Sequence, residues 1–252
     1  MLDELPIIRS DWALFLDVDG TLLDIAATPD AVQVSDELRA TLGGLSGALE
    51  GALALVSGRP IASIDRLFAP LILPAAGQHG AEIRNDGPLL QGPANPHLPA
   101  ITAALQHFVA TRPGLMVEEK GESVALHYRL APHYREAARE LVRSLIDSCG
   151  GGLEILPARM AFDIKPKAVD KGAAIEWFLT CAAFQGRVPV FVGDDRTDED
   201  GFSYVNTRGG HSIRVGQDGD SGAAYRMPAP AAVREWLKVG LDALALEGAK
   251  RP

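Results

Sequence analysis

Asp17 and Asp19 stand two residues apart, directly after the apolar run Trp12-Ala13-Leu14-Phe15-Leu16 and directly before Gly20-Thr21. Side chains at alternate positions of an extended chain share a face, and a glycine permits a turn that a larger residue would strain. The spacing therefore lets two carboxylates converge on one point. One carboxylate of such a pair can attack phosphorus and form an aspartyl-phosphate. The other can protonate the leaving group and then activate water. A hard cation such as Mg2+ would offset the repulsion between carboxylates and phosphate. Asp19-Gly20 would also suit an ordinary surface turn, so the companions of this pair decide its meaning.

Those companions lie at comparable places. Ser57 follows the apolar stretch Ala52–Val56 and precedes Gly58-Arg59-Pro60, with Pro60 suited to the first turn of a helix. Its hydroxyl and backbone N–H would face an anion at a helix start. Lys171, in Asp170-Lys171-Gly172, opens another helical pattern and is a point charge suited to phosphate. Asp194, Asp195 and Asp198 follow the apolar stretch Val188–Val192 and could complete a hard-metal site. Taken singly, Ser57 could be a helix cap, Lys171 a solvated charge and Asp198 the N-cap of a short helix through Phe202. Taken together they supply a nucleophile, an acid/base, phosphate-neutralising groups and a metal shell. Arg59 is read as structural, packing below the active edge.

The elements that must position these residues follow an α/β rhythm. Trp12–Leu16, Ala52–Val56 and Leu71–Ala76 read as buried strands. Between them, Ser35-Asp36-Glu37 begins a helix with a capping serine and acids in its first turn. Gly43, Gly44 and Gly47 weaken that helix's later turns. Such alternation predicts a parallel sheet with covering helices, whose strand ends bind ligands. Asn85-Asp86-Gly87 then signals a hairpin between Ala81–Arg84 and Leu89-Leu90. Beyond Gly92, Pro93 and Pro96 the rhythm changes. A helix through Leu98, Ile101, Leu105 and Phe108, strands over Leu115–Lys120 and Ser123–Arg129, a helix over Tyr134–Ser148 and strands over Leu153–Leu156 and Met160–Lys165 make a small α+β unit. The first rhythm returns at Asp170, with a strand over Ser212–Val215 and a closing helix through Val233, Leu237, Leu241 and Leu244. The expected division is a Rossmann-like core of 1–92 and 167–252 with an inserted α+β cap of 93–166.

Composition excludes several partners. A net charge of −9 opposes a nucleic-acid surface and requires locally concentrated positive charge to bind a phosphate ester. Prolines and charges interrupt every apolar run before membrane-spanning length. The N-terminus lacks a basic-then-apolar signal. Cys149 and Cys181 have no metal-type spacing and read as small hydrophobes. A cytoplasmic monomer acting on a small molecule is expected.

Asp17-Val18-Asp19-Gly20-Thr21, Ser57-Gly58-Arg59, Lys171-Gly172 and Gly193-Asp194-Asp195 with Asp198 resemble, in this order, the signature motifs of the haloacid dehalogenase-like phosphatases. The resemblance implies Asp17 as nucleophile and Asp19 as acid/base, with Ser57, Lys171 and Thr21 serving the phosphoryl group. It further implies Mg2+ held by Asp17, the Asp19 carbonyl and Asp194, with Asp198 in support. Within that superfamily, Gly77-Gln78-His79-Gly80-Ala81-Glu82, Glu118-Glu119-Lys120-Gly121, Leu126-His127-Tyr128-Arg129 and the stretch from Lys165-Pro166 to Lys171-Gly172 look like the trehalose-6-phosphate phosphatases. This implies hydrolysis of trehalose 6-phosphate by a cap that closes over the sugar. His79, Glu118, Lys120, His127, Arg129 and Asp163 are the implied sugar contacts. On strands, Glu118 would share a face with Lys120, and His127 with Arg129. The family carries glutamate where this chain has Asp163, so a contact there passes through water or is lost. Phosphatases of sucrose phosphate or mannosyl phosphoglycerate share the core motifs, and a non-catalytic phosphosugar sensor is the rival of a different class.

Overall fold

The computed structural model describes residues 5–25, 32–91, 95–119, 121, 123–158, 160–167, 169–217 and 219–248. In chain order these form β1 (Trp12–Leu16), α1 (Asp36–Ala48), β2 (Leu53–Val56), α2 (Ile61–Phe68), β3 (Ala75–Gly77), β4 (Glu82–Arg84), β5 (Leu90–Gln91), α3 (Leu98–Val109), β6 (Met116–Glu119), β7 (Val124–His127), α4 (Arg135–Ser148), β8 (Leu153–Ala158), β9 (Ala161–Pro166), α5 (Lys171–Phe178), β10 (Val188–Gly193), α6 (Glu199–Thr207), β11 (His211–Val215), β12 (Tyr225–Met227) and α7 (Pro230–Gly248). The chain separates into two compact units, one of 1–90 with 170–252 and one of 91–169.

The first unit is built on a sheet ordered β12-β11-β10-β1-β2-β3-β4-β5. Pairing is parallel from β12 through β3 and antiparallel between β3 and β4. β1 is buried throughout because it lies in the middle of a sheet whose faces are covered. From β1 the chain proceeds through β2 to β3 on one side, and later adds β10, β11 and β12 on the other. The strand order therefore reverses between β1 and β10, where ligands of open α/β sheets bind.

Local chemistry sets the element ends. Ser35 caps α1 by accepting the Leu38 N–H at 3.2 Å. α1 continues through the glycines expected to weaken it, because α7 packs there: a Cβ on Gly44 would lie 2.8 Å from Leu241. β3 starts at Ala75, later than the apolar stretch from Leu71 suggests. Pro74 has no N–H to give to a ladder. β12, which periodicity does not reveal, is a three-residue edge strand. Beneath the sheet Phe15 stacks on Phe184, with ring centroids 5.5 Å apart, and tilts against Phe178 at 5.9 Å.

The second unit is a four-stranded antiparallel sheet, β6-β7-β9-β8, with its own core. Val124, Leu126, Phe162, Ile164 and Leu153 pack with Leu98, Ile101 and Leu105 of α3 and Ala138 and Val142 of α4. By register the other face of the sheet carries Glu118, His127, Asp163 and Lys165. β7 stops at His127, two residues short of the expected strand end at Arg129, which lies exposed in the following turn. Lys120, Gly92 and Pro93 lie outside the described residues.

Among the described residues no helix is long and apolar enough to cross a membrane. Replacing Phe15 by Ala removes a fully buried ring from the centre of the first core. The expected loss is about 3–5 kcal/mol, read as a lower midpoint in urea unfolding. A midpoint unchanged from the parent would contradict this packing.

Candidate active site

Parallel register brings the chemistry to one edge. Leu16 stands opposite both Val192 of β10 and Leu55 of β2, so these strands run out together. The Asp17 N–H continues the ladder to the Val192 carbonyl at 2.9 Å, and the Ser57 N–H reaches the Ala76 carbonyl at 2.9 Å. Asp17, Ser57 and Asp194 are thus the residues that follow adjacent strand ends. Gly20 then turns with φ of +81°, and any Cβ there would overlap the Asp194 carboxylate. Glycine is required by both conformation and space. The loop closes on itself through Gly20 N–H to the Leu23 carbonyl at 2.7 Å.

Lys171 joins the acids. Its ammonium donates to Asp17 at 2.7 Å and to Asp198 at 2.5 Å, with all three side chains buried. Asp170 fixes the start of α5 by accepting the Ala173 N–H at 2.8 Å, which sets where Lys171 leaves the helix. Asp198 stands at the N-cap position of α6 but makes no side-chain cap bond to that helix. Its second oxygen turns back and accepts the backbone N–H groups of Asp194 and Asp195, each at 2.9 Å. Asp195, exposed, caps the short 3-10 turn Arg196–Asp198 by accepting the Arg196 N–H at 2.6 Å. Thr21, fully buried, donates its hydroxyl to Asp194 at 3.2 Å and ties the β1 loop to the β10 loop.

The charges of this cluster are strongly coupled. Burial pushes the Asp17 carboxyl well above its usual range, with Asp198 and Asp194 adding to the rise and Lys171 opposing it. Burial and the neighbouring Asp198 raise Asp194 to about 6, again against Lys171. Burial alone would lower the Lys171 ammonium, but Asp17 and Asp198 outweigh it and hold Lys171 above its ordinary value. Asp17, Asp194 and Asp198 each place a carboxylate oxygen within 4.8 Å of the others. Three carboxylates against one ammonium leave a surplus of negative charge and of hard oxygen donors. The residues present therefore fit a divalent cation such as Mg2+. Since Lys171 and two N–H groups already engage Asp198, Asp17 and Asp194 have the oxygens to offer, and Asp198 steadies them.

Asp19 takes a different partner. Both of its oxygens accept from the Arg59 guanidinium, Nε and Nη2 each at 2.6 Å. Arg59 is therefore not packed below the edge but paired with a candidate catalytic acid. The spacing in Ser57-Gly58-Arg59 was the available signal, since it puts a guanidinium in the same loop as a candidate phosphate ligand. Ser57 is buried, and its Oγ accepts the Arg59 N–H at 3.2 Å. His79 lies over this loop, with its N–H on the Ser57 carbonyl at 2.9 Å and its ring so close that a Cβ on Gly58 would come within 2.8 Å.

In the second unit Glu118 and His127 are in contact at 2.8 Å across the β6–β7 pair. Asp163 is buried on β9, opposite Ala125, which is itself opposite Glu118. These three side chains belong to one sheet face by register.

The trehalose-phosphatase family matches residues 15–228 of the chain. The "Probable trehalose-phosphate phosphatase" of Sinorhizobium fredii is 44% identical over 207 residues, covering 82% of this chain and 78% of the relative. The "Trehalose-6-phosphate phosphatase" of Escherichia coli is 39% identical over 249 residues, covering 96% and 91%. Among solved structures, the C-terminal domain of the C. albicans trehalose-6-phosphate phosphatase superposes with a TM-score of 0.80 at 20% identity, covering 92% of each chain, and shares the fold. The chain belongs to the trehalose-phosphatase family.

Proposed function

We propose that this protein hydrolyses trehalose 6-phosphate to trehalose and inorganic phosphate through an aspartyl-phosphate on Asp17. The observation that carries the reading is the buried Asp17 carboxylate at the β1–β10 reversal, held by Lys171 at 2.7 Å and backed by Asp198. Relatives named for this activity, at 39–44% identity over most of the chain, support the substrate.

An Asp17 oxygen attacks phosphorus as the bond from phosphorus to the sugar oxygen breaks, and Asp19 gives that oxygen a proton. Water then attacks the aspartyl-phosphate, Asp19 takes its proton, and phosphate leaves with Asp17 restored. Lys171 and Ser57 meet the charge on the phosphoryl oxygens, since both flank the nucleophile's strand end. Thr21 orients the loop through Asp194. Asp17 and Asp194, steadied by Asp198, would hold Mg2+, which when bound supplies positive charge against the phosphoryl oxygens.

The second unit is the specificity element in this reading. Glu118 and Asp163 accept hydrogen bonds from sugar hydroxyls, and His127 holds Glu118 in place. Asp163 is shorter than the family's glutamate and reaches the sugar through water.

The test is phosphate release from a panel of sugar phosphates, with Mg2+ and with chelator. Release confined to trehalose 6-phosphate and lost on chelation is expected. Comparable release from many sugars would overturn the substrate, and binding without release would favour a sensor. Asp17→Asn is expected to lower kcat by about 10³-fold or more while keeping the parent's circular dichroism; near-parental turnover would remove Asp17 as nucleophile. Glu118→Ala is expected to lower kcat/KM for trehalose 6-phosphate by about 10- to 100-fold, the worth of a hydrogen bond to a charged group. A small aryl phosphate should be little affected, and equal losses on both would place Glu118 outside sugar recognition.

A further inference from the structure

We propose that Arg59 is the positioning residue for Asp19, and that Gln78 and Glu82 hold Arg59 ready for that task. The proposal deepens the acid/base reading of Asp19 and rests on it. Asp19 lies half-buried in a tight loop, with its side chain 39% exposed, whereas the Arg59 side chain is 13% exposed. A short carboxylate in that setting samples several rotamers. A two-point contact with a planar guanidinium selects one of them, which a single-point ammonium contact would not. Both oxygens of Asp19 are held at 2.6 Å.

Arg59 is in turn fixed from its own backbone. Its N–H donates to Ser57 Oγ, and its carbonyl accepts the Gln78 N–H at 3.0 Å. Two residues on, the Ile61 N–H at the start of α2 donates to one oxygen of the buried Glu82 at 2.7 Å. The other Glu82 oxygen accepts the Gln78 side-chain amide at 2.5 Å. A helix start leaves N–H groups without intrahelical partners, and here a carboxylate from 21 residues further along the chain supplies one. Pro60, at the N-cap position, makes no side-chain cap bond of its own. Gly77 lets the strands close over this contact, since a Cβ there would lie 2.8 Å from both the Arg59 carbonyl oxygen and the Ile61 nitrogen.

Gln78 and His79 are both left-handed, with φ of 50° and 61°. Consecutive non-glycine residues in that region persist only where their surroundings over-determine them, and such strain gathers at functional sites. The stretch Gly77–Glu82 thus acquires a task that sugar binding by His79 alone does not give it. It holds the turn that carries both Ser57 and Arg59, and so sets the phosphate ligand and the acid/base relative to each other.

The leaving group separates this role from mere structural support. A sugar oxygen must receive the Asp19 proton as its bond to phosphorus breaks, whereas p-nitrophenolate leaves without one. With Asp19 misplaced, formation of aspartyl-phosphate from p-nitrophenyl phosphate is spared, but its hydrolysis still needs a base. Arg59→Met is therefore expected to lower kcat on trehalose 6-phosphate by about 30- to 100-fold, within the range for general acid–base catalysis, with KM within about threefold. On p-nitrophenyl phosphate it should give a burst near one nitrophenolate per site before slow turnover. Arg59→Lys, which keeps the charge and loses the fork, should show the same pattern more weakly and serves if the methionine variant does not fold. Glu82→Ala should follow it in the same direction. Equal losses on both substrates without a burst, or a rise in KM alone, would overturn the proposal. Asp19→Asn, run alongside, tells the two failures apart. If it gives the burst and the Arg59 variants do not, only the positioning role falls. If it turns over the sugar phosphate at the parental rate, the acid/base reading itself falls, and the proposal with it.

Discussion

The Lys171 ammonium, buried between Asp17 and Asp198, is the contact on which the rest of the first unit depends. An unpaired ammonium in that position would be costly to bury, and so would either carboxylate. Each group is tolerable only because the other two are present. The three come from β1, the start of α5 and the turn after β10, so the ion cluster forms only when those parts of the chain are correctly assembled. The same cluster sets the titration behaviour. Asp17 and Asp198 hold Lys171 charged above its ordinary range, while burial first, and the neighbouring carboxylates second, raise the Asp17 and Asp194 carboxyl groups against the pull of Lys171.

The sheet makes this concentration of charge affordable elsewhere. Phe15, Phe178, Phe184, Val190 and Phe191 are fully buried, and the acidic groups sit only beyond the last rungs of the ladder. Parallel pairing in register then does the aligning: three strands that end at the same level deliver three polar loops to one edge. A one-residue slip between β1 and β10 would send Asp17 to the opposite face of the sheet. Thr21 and Asp198 provide the fine connection, since each bonds the loop of one strand to the loop of the next or to itself.

Much of this was legible in the residues. The alternation of apolar runs and capped helices announced the parallel core, because buried strands are short and uniformly apolar. The position of Asp17, Ser57, Lys171 and Asp194 relative to those runs announced the edge. Less legible was everything set by partners distant in sequence. Arg59 read as structural because its spacing from Ser57 puts it in the site's loop but does not name its partner, Asp19, 40 residues earlier in the chain. Asp198 read as a helix cap or a metal-shell acid, and its bonds to Lys171 and to two backbone N–H groups depend on tertiary placement. Arg129 was placed on a strand face by period alone, but the strand ended at His127. The later turns of α1 read as weak because glycine propensity is local, whereas the approach of Leu241 that rewards Gly44 is not.

The strand order also carries a consequence for how the chain is made. β1 lies between β2, which follows it closely, and β10, which is translated more than 150 residues later. Until Val188–Gly193 leaves the ribosome, one full hydrogen-bonding edge of this wholly apolar strand has no native partner. The segment made in the interval, 91–169, has an antiparallel sheet and a core of its own. Synthesis order and strand order are therefore at odds, and the nascent chain must shelter β1 through that delay, a period in which an exposed edge invites association with other chains.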